Sequence, residues 1–141
     1  MILVDTSVWS QVLRRNSGRL NETQKKIREK FSELVMEGSI VMMGVIRQEL
    51  LSGIRNGSDF ENLKKKLIFF PDTEILQEDY EKAAEFFNLC RAKGISGSSI
   101  DFLICAVAVR CRLTVFTLDQ DFKNYAKILP LQILNIDESN S

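Results

Sequence analysis

The chain has 141 residues, 45% of them apolar, enough for one packed domain and too many for wholesale disorder. Nineteen basic residues balance nineteen acidic ones, which argues against binding nucleic acid through bulk positive charge. There is no histidine, so Ser-His-Asp and Cys-His triads, His-ligated zinc and a histidine general base are excluded; the three cysteines (Cys90, Cys105, Cys111) form no CxxC pair and no disulfide framework.

Ile2-Leu3-Val4 reads as a short buried strand, and a helix is predicted from Thr6 to about Arg15. Asn21 with Gln24 forms a capping box that opens a second helix, running to a stop at Gly38. Ile40 to Met43 has strand length. The next helix carries Val45, Ile46, Leu50, Leu51 and Ile54 and ends at Asn56-Gly57. Ser58 with Glu61 is a second capping box, opening a helix to about Ile68. Helix follows from about Gln77 to Lys93, then from a Ser98 or Ser99 cap to about Arg112. Cys105 and Cys111 share that helix, separated by about 9 Å of rise, too far to bridge. Leu113 to Leu118 is a β-rich strand, a short helix contains Asp121 and Phe122, and Leu131 to Leu134 is the last strand.

Short apolar strands alternating with helices imply parallel βαβ units with both faces covered. The expected fold is a three-layer α/β/α sandwich with a four- or five-stranded, mainly parallel sheet. It forms one domain over residues 1–141, with 137–141 a loose tail. No apolar stretch of about 18 to 20 residues is present, and the N-terminal apolar run is too short for a signal-peptide core, so no membrane and a cytoplasmic location are expected.

Ligands bind such sheets at the carboxyl ends of the strands. Asp5 directly follows the first strand and Asp119 directly follows the Leu113–Leu118 strand. Taken singly, each is a helix cap as readily as a functional acid. Asp101 is the only charged residue between Ile95 and Val109, in the first turn of a helix apolar on every side. Burying it costs several kcal/mol unless a partner from elsewhere, or a metal ion, compensates. Glu49 falls between Val45 and Ile46 on the apolar arc of its helix, although Arg47 interrupts that arc. Four converging carboxylates cannot all stay ionised without cations. Oxygen ligands with no His or Cys suit Mg²⁺, with Mn²⁺ as an alternative. The matching chemistry is metal-assisted phosphodiester hydrolysis.

The segments MILVDTSVW (1–9), IRQELLSG (46–53), SSIDFLICAVA (98–108) and FTLDQDF (116–122) occur in an order and spacing that resemble PIN-domain ribonucleases, and more narrowly the VapC toxins of bacterial toxin–antitoxin pairs. The resemblance covers essentially the whole chain. It implies a magnesium- or manganese-dependent endoribonuclease whose catalytic and metal-binding quartet is Asp5, Glu49, Asp101 and Asp119. Asp5 and Asp101 would touch metal directly, and Glu49 and Asp119 would complete the set through water or a second ion. Thr6, Ser7 and Thr117 match the hydroxyl residues beside the first and fourth acids and would orient carboxylates or water. Asp121 reads as a helix-start feature and is ranked as supporting. The resemblance also implies a homodimer inhibited by a small cognate antitoxin, with an RNA substrate.

The alternative is a non-catalytic receiver-like or protein-binding α/β module. A receiver needs an acid pair after its first strand and a lysine after a late one, whereas Asp5 is followed by Thr6-Ser7. A haloacid-dehalogenase-like phosphatase needs an Asp where Ser7 stands, and no GxGxxG supports a dinucleotide site. For RNA approach, Arg14, Arg15, Arg19, Lys25, Lys26, Arg28 and Lys30 give the first thirty residues a basic excess, though such residues usually form a solvated face. Trp9 is expected in the core rather than on a base. Phe86, Phe87 and Leu89 are candidates for a dimer or antitoxin surface, with burial in the core an equal alternative.

Overall fold

Strand β1 (Ile2–Val4) pairs on both sides, because its three apolar residues have no polar face to turn to water. One neighbour is β2 (Ile40–Val41) and the other is β3 (Thr114–Phe116), which in turn pairs with β4 (Gln132–Ile133). The order is β2-β1-β3-β4 and every pairing is parallel. In this computed structural model, residues 1–14 and 18–136 are described.

The connections are helical: α1 (Thr6–Leu13), α2 (Glu22–Met36), α3 (Gly44–Leu51), α4 (Gly57–Leu67), α5 (Gln77–Ala92), α6 (Ser99–Cys111) and α7 (Gln120–Tyr125). The result is an α/β/α fold with four parallel strands among the described residues, as expected. Helix α6 is its centre. All residues from Phe102 to Ala108 are buried, and α5 packs along the helix. Each Phe, Leu or Ile fully buried there contributes about 1.5–3 kcal/mol. Trp9 is also core: its ring meets Phe31 and Phe70 edge-on, with centroids 5.1 and 5.0 Å away.

Several boundaries differ from the sequence expectation for local reasons. The Asn21–Gln24 capping box forms. The predicted Ser58–Glu61 box does not head its helix. Asn56 caps α4 instead, its Oδ1 accepting the N–H groups of Ser58 and Asp59 at 2.8 and 3.1 Å. Helix α3 stops at Leu51, short of the expected Asn56, because Gly53 takes a left-handed φ of 88°. Helix α1 ends at Leu13; Arg15 and the expected 137–141 tail lie outside the described residues. Arg28 of α2 donates to the Gln11 and Arg14 carbonyls at 2.9 and 3.0 Å, closing the end of α1. The three cysteines are free thiols, Cys90 and Cys105 buried and Cys111 partly so. No helix among the described residues is long and apolar enough to cross a membrane.

Candidate active site

Parallel register brings the first two acids' surroundings together. Val4 pairs with Phe116, and the Asp5 N–H donates to the Phe116 carbonyl at 2.9 Å, so the chain leaves both strands at one level. Asp5 therefore stands beside Thr117. The Thr117 hydroxyl donates to Asp5 Oδ2 at 2.8 Å and accepts the Asp119 N–H at 3.0 Å. Ser7 repeats the pattern: its hydroxyl donates to Asp5 Oδ2 at 2.8 Å and accepts the Leu118 N–H at 2.9 Å. Thr6 Oγ1 lies 3.4 Å from Asp5 Oδ1. Three neutral hydroxyls thus surround a buried carboxylate, which can only accept.

Asp101 enters from the first turn of α6, where Ser98 caps the helix by accepting the Asp101 N–H at 3.0 Å. Its Oδ2 accepts from the Tyr125 hydroxyl at 2.7 Å. Asp119 is the N-cap of α7, and its Oδ1 accepts the Asp121 N–H at 2.9 Å. Glu49 comes from α3 at the exposed rim rather than on a buried face. Asp5, Glu49, Asp101 and Asp119 line one cavity of about 420 Å³ together with Thr6, Ser7, Ser10, Leu50 and Ser52.

Asp121 lies beside two of them: Asp101, Asp119 and Asp121 each place one carboxylate oxygen within 4.8 Å of the others. Asp5 and Glu49 stand outside that set but on the same cavity. Among the described residues, no lysine or arginine forms an ion pair with any of these five acids. Electrostatic stress follows. Burial raises the Asp101 carboxyl, the hydrogen bonds from Tyr125 and Ser98 pull it back, and the charges of Asp5 and Asp119 raise it again, leaving it above the usual carboxylate range. Burial, then the charges of Asp5 and Asp101, also lift Glu49, against a bond from Thr6. Such a donor set, all oxygen and without a protein cation to neutralise it, fits a hard divalent ion.

Other candidate residues have different surroundings. Arg28 is held by carbonyls, Lys25 pairs with Glu22, and Lys30 pairs with Glu33. Lys26 and Lys123 line a second cavity of about 640 Å³, together with Phe116, Thr117 and Leu118. Phe86 is core, whereas Leu89 is exposed and Phe87 lines an apolar groove beside α6. The sequence reading did not reach Tyr125; Asp121, read there as a helix-start feature in a supporting place, has its carboxylate beside those of Asp101 and Asp119. An aromatic residue three positions after Phe122 looks like core filling, and only its partner shows otherwise.

The fold resembles several solved structures. FitAcB from Neisseria gonorrhoeae matches with a TM-score of 0.75 and 21% identity, covering 96% of this chain and 98% of that one. VapBC2 from Rickettsia felis, bound to a DNA fragment from its promoter, matches with a TM-score of 0.72 and 17% identity, covering 96% and 98%. A toxin–antitoxin complex from Klebsiella pneumoniae matches with a TM-score of 0.63 and 18% identity, covering 94% and 100%. At these identities the likeness carries the fold. No curated protein matches the sequence. The PIN domain family model matches residues 2–128, and the chain belongs to the PIN-domain family.

Proposed function

We propose that this PIN-domain protein is a metal-dependent endoribonuclease acting as the toxin of a type II toxin–antitoxin pair. The observation that carries the reading is the cavity at the carboxyl ends of β1 and β3, lined by four acids with Asp121 beside two of them, and without a cationic partner among the described residues. Asp5 and Asp101 would touch a divalent ion, Mg²⁺ or Mn²⁺, directly, with Glu49 and Asp119 completing its surroundings and Asp121 beside Asp101 and Asp119 in support. When bound, the ion supplies Lewis-acid polarisation of a phosphoryl oxygen and acidifies water. Ser7, Thr6 and Thr117 orient Asp5 through the hydroxyl contacts described above. Glu49, at the rim of the cavity, would help to hold the ion or its water. Water adds to phosphorus and gives up a proton to solvent, the bond to the 3′-oxygen breaks, and that oxygen takes up a proton from solvent, giving a 5′-phosphate and a 3′-hydroxyl.

The antitoxin partner is supported by the structural neighbour from Klebsiella pneumoniae, which is a toxin–antitoxin complex. For a homodimer, the apolar groove lined by Tyr80, Ala83, Phe87, Ile100 and Leu103 offers a surface for a second copy. Such a protein works in the cytoplasm. A receiver-like module has no support, because the acidic cavity has no lysine among its lining residues.

The test is purified protein with RNA and Mg²⁺ or Mn²⁺, with and without EDTA, beside a single-stranded DNA of the same sequence. Internal RNA cleavage that needs the cation is expected. No cleavage under any divalent cation would overturn the reading.

A further inference from the structure

Asp101 has a positional problem. It projects from the first turn of α6 into an open cavity, where the charges of Asp5 and Asp119 oppose it. A short carboxylate in that setting rotates away from its neighbours unless something holds it. Resting on the metal-nuclease reading above, we propose that Tyr125 is a positioning residue that fixes the Asp101 carboxylate for cation binding, and that position 97 is glycine so that the phenol can reach it.

The phenol is itself fixed. Tyr125 is fully buried at the end of α7, its ring packed on Phe102 with centroids 4.8 Å apart and on Phe122 at 5.3 Å. Phe102 directly follows Asp101, so α7 grips α6 at two adjacent residues, one by ring contact and one by the hydroxyl. That hydroxyl donates to Asp101 Oδ2 at 2.7 Å, which sets the rotation of the carboxylate about its Cβ–Cγ bond. A phenylalanine would fill the same space; the oxygen has Asp101 as its partner. Burial, then the bond to Asp101 and its charge, push the phenol's proton loss far above neutral pH, so it remains a donor.

Gly97 supplies an independent observation. It does not adopt a left-handed backbone, so conformational freedom does not explain it. A Cβ at this position would lie 2.2 Å from the Tyr125 hydroxyl oxygen and 2.7 and 2.8 Å from two ring carbons. The backbone before α6 therefore makes room for the phenol where it meets Asp101, the three atoms nearest to such a Cβ all belonging to Tyr125.

The test uses the full chain and Mn²⁺ as the probe. Tyr125→Phe should raise the Mn²⁺ dissociation constant measured by calorimetry about 10-fold, within the range seen when partners of metal ligands are removed. The Mn²⁺ concentration for half-maximal RNA cleavage should rise by the same factor, while melting in EDTA shifts by a few degrees at most. Gly97→Ala keeps the tyrosine but displaces the phenol, and should weaken Mn²⁺ in the same direction; it carries the test if Tyr125→Phe does not fold. If both variants bind Mn²⁺ as tightly as the wild type, Tyr125 is core filling and the proposal fails alone. If the wild type binds no Mn²⁺ and cleaves no RNA, the nuclease reading falls and takes this one with it.

Discussion

Replacing Asp101 by Asn should make the cation-free protein more stable while abolishing cleavage. The amide keeps the size of the side chain and still offers Oδ1 to the Tyr125 hydroxyl, which now donates to the carboxylate at 2.7 Å. What disappears is one negative charge from three acids whose oxygens lie within 4.8 Å of one another. At that spacing a like-charge pair costs about 0.9 kcal/mol in water and about 3.5 kcal/mol at an effective dielectric constant of 20. Asp101 is partly buried and Asp121 is exposed, so about 1 kcal/mol per pair is the better figure. Two pairs then give about 2 kcal/mol of relief. Against this, a hydrogen bond to a neutral amide is weaker than one to a carboxylate by about 1 kcal/mol. The variant should therefore gain about 1 kcal/mol, or about 3 °C in Tm for a chain of this size.

Calorimetric melting in EDTA measures that gain. Adding a divalent cation should reverse the order. The wild type gains about 2.7 kcal/mol when the free ion reaches a hundred times its Kd, and a variant that binds poorly gains little. The RNA assay on the same samples should show cleavage by the wild type only. A variant that melts below the wild type in EDTA, or that Mn²⁺ stabilises equally, would refute the idea that these carboxylates repel one another until a cation arrives.

The acids legible in the sequence were those whose local setting is unusual. Asp5 ends an apolar strand, and Asp101 interrupts a helix with no other charge, so chain-local reasoning reached both. Glu49 was reached for a weaker reason: periodicity set it on an apolar arc, whereas the shorter α3 leaves it at an exposed rim. Asp121 was ranked low because helix-start acids are common. The structure shows that capping and cavity-lining are compatible: the cap is Asp119, and Asp121 supplies only its N–H to it, leaving its own carboxylate beside the others. Tyr125 and Arg28 were not legible. Their partners lie 24 and 14 to 17 residues away in the chain, and only helix packing selects them. The sheet was legible in its alternation, but its strands are shorter than their apolar runs. Thr117 shows the reason, since it leaves the ladder to bond Asp5 and Asp119.

Two further predictions concern what holds this frame. Asn56→Ala should lower stability by about 1 kcal/mol, because its side chain accepts two N–H groups at the head of α4, whereas Ser58→Ala should change little; equal losses by thermal melting would restore Ser58 as the cap. Asp79→Asn should expose a pH-dependent clamp between α5 and α6. Asp79 is nearly inaccessible and accepts Arg110 Nε at 2.7 Å, Arg110 Nη2 at 2.9 Å and the Leu76 N–H at 2.8 Å. Burial pushes its carboxyl up, but the Arg110 hydrogen bonds, the Leu76 amide and the guanidinium charge together hold it below the usual range. Because the folded value is depressed, the unfolded chain takes up the proton first as pH falls. The clamp's contribution is then complete above about pH 5 and fades below about pH 4, through the folded value. Chemical denaturation across pH should show a wild-type advantage that is flat from pH 5 to 8 and shrinks in acid. An advantage that persists unchanged at pH 2, or grows there, would mean that the carboxylate's charge is not what joins the two helices.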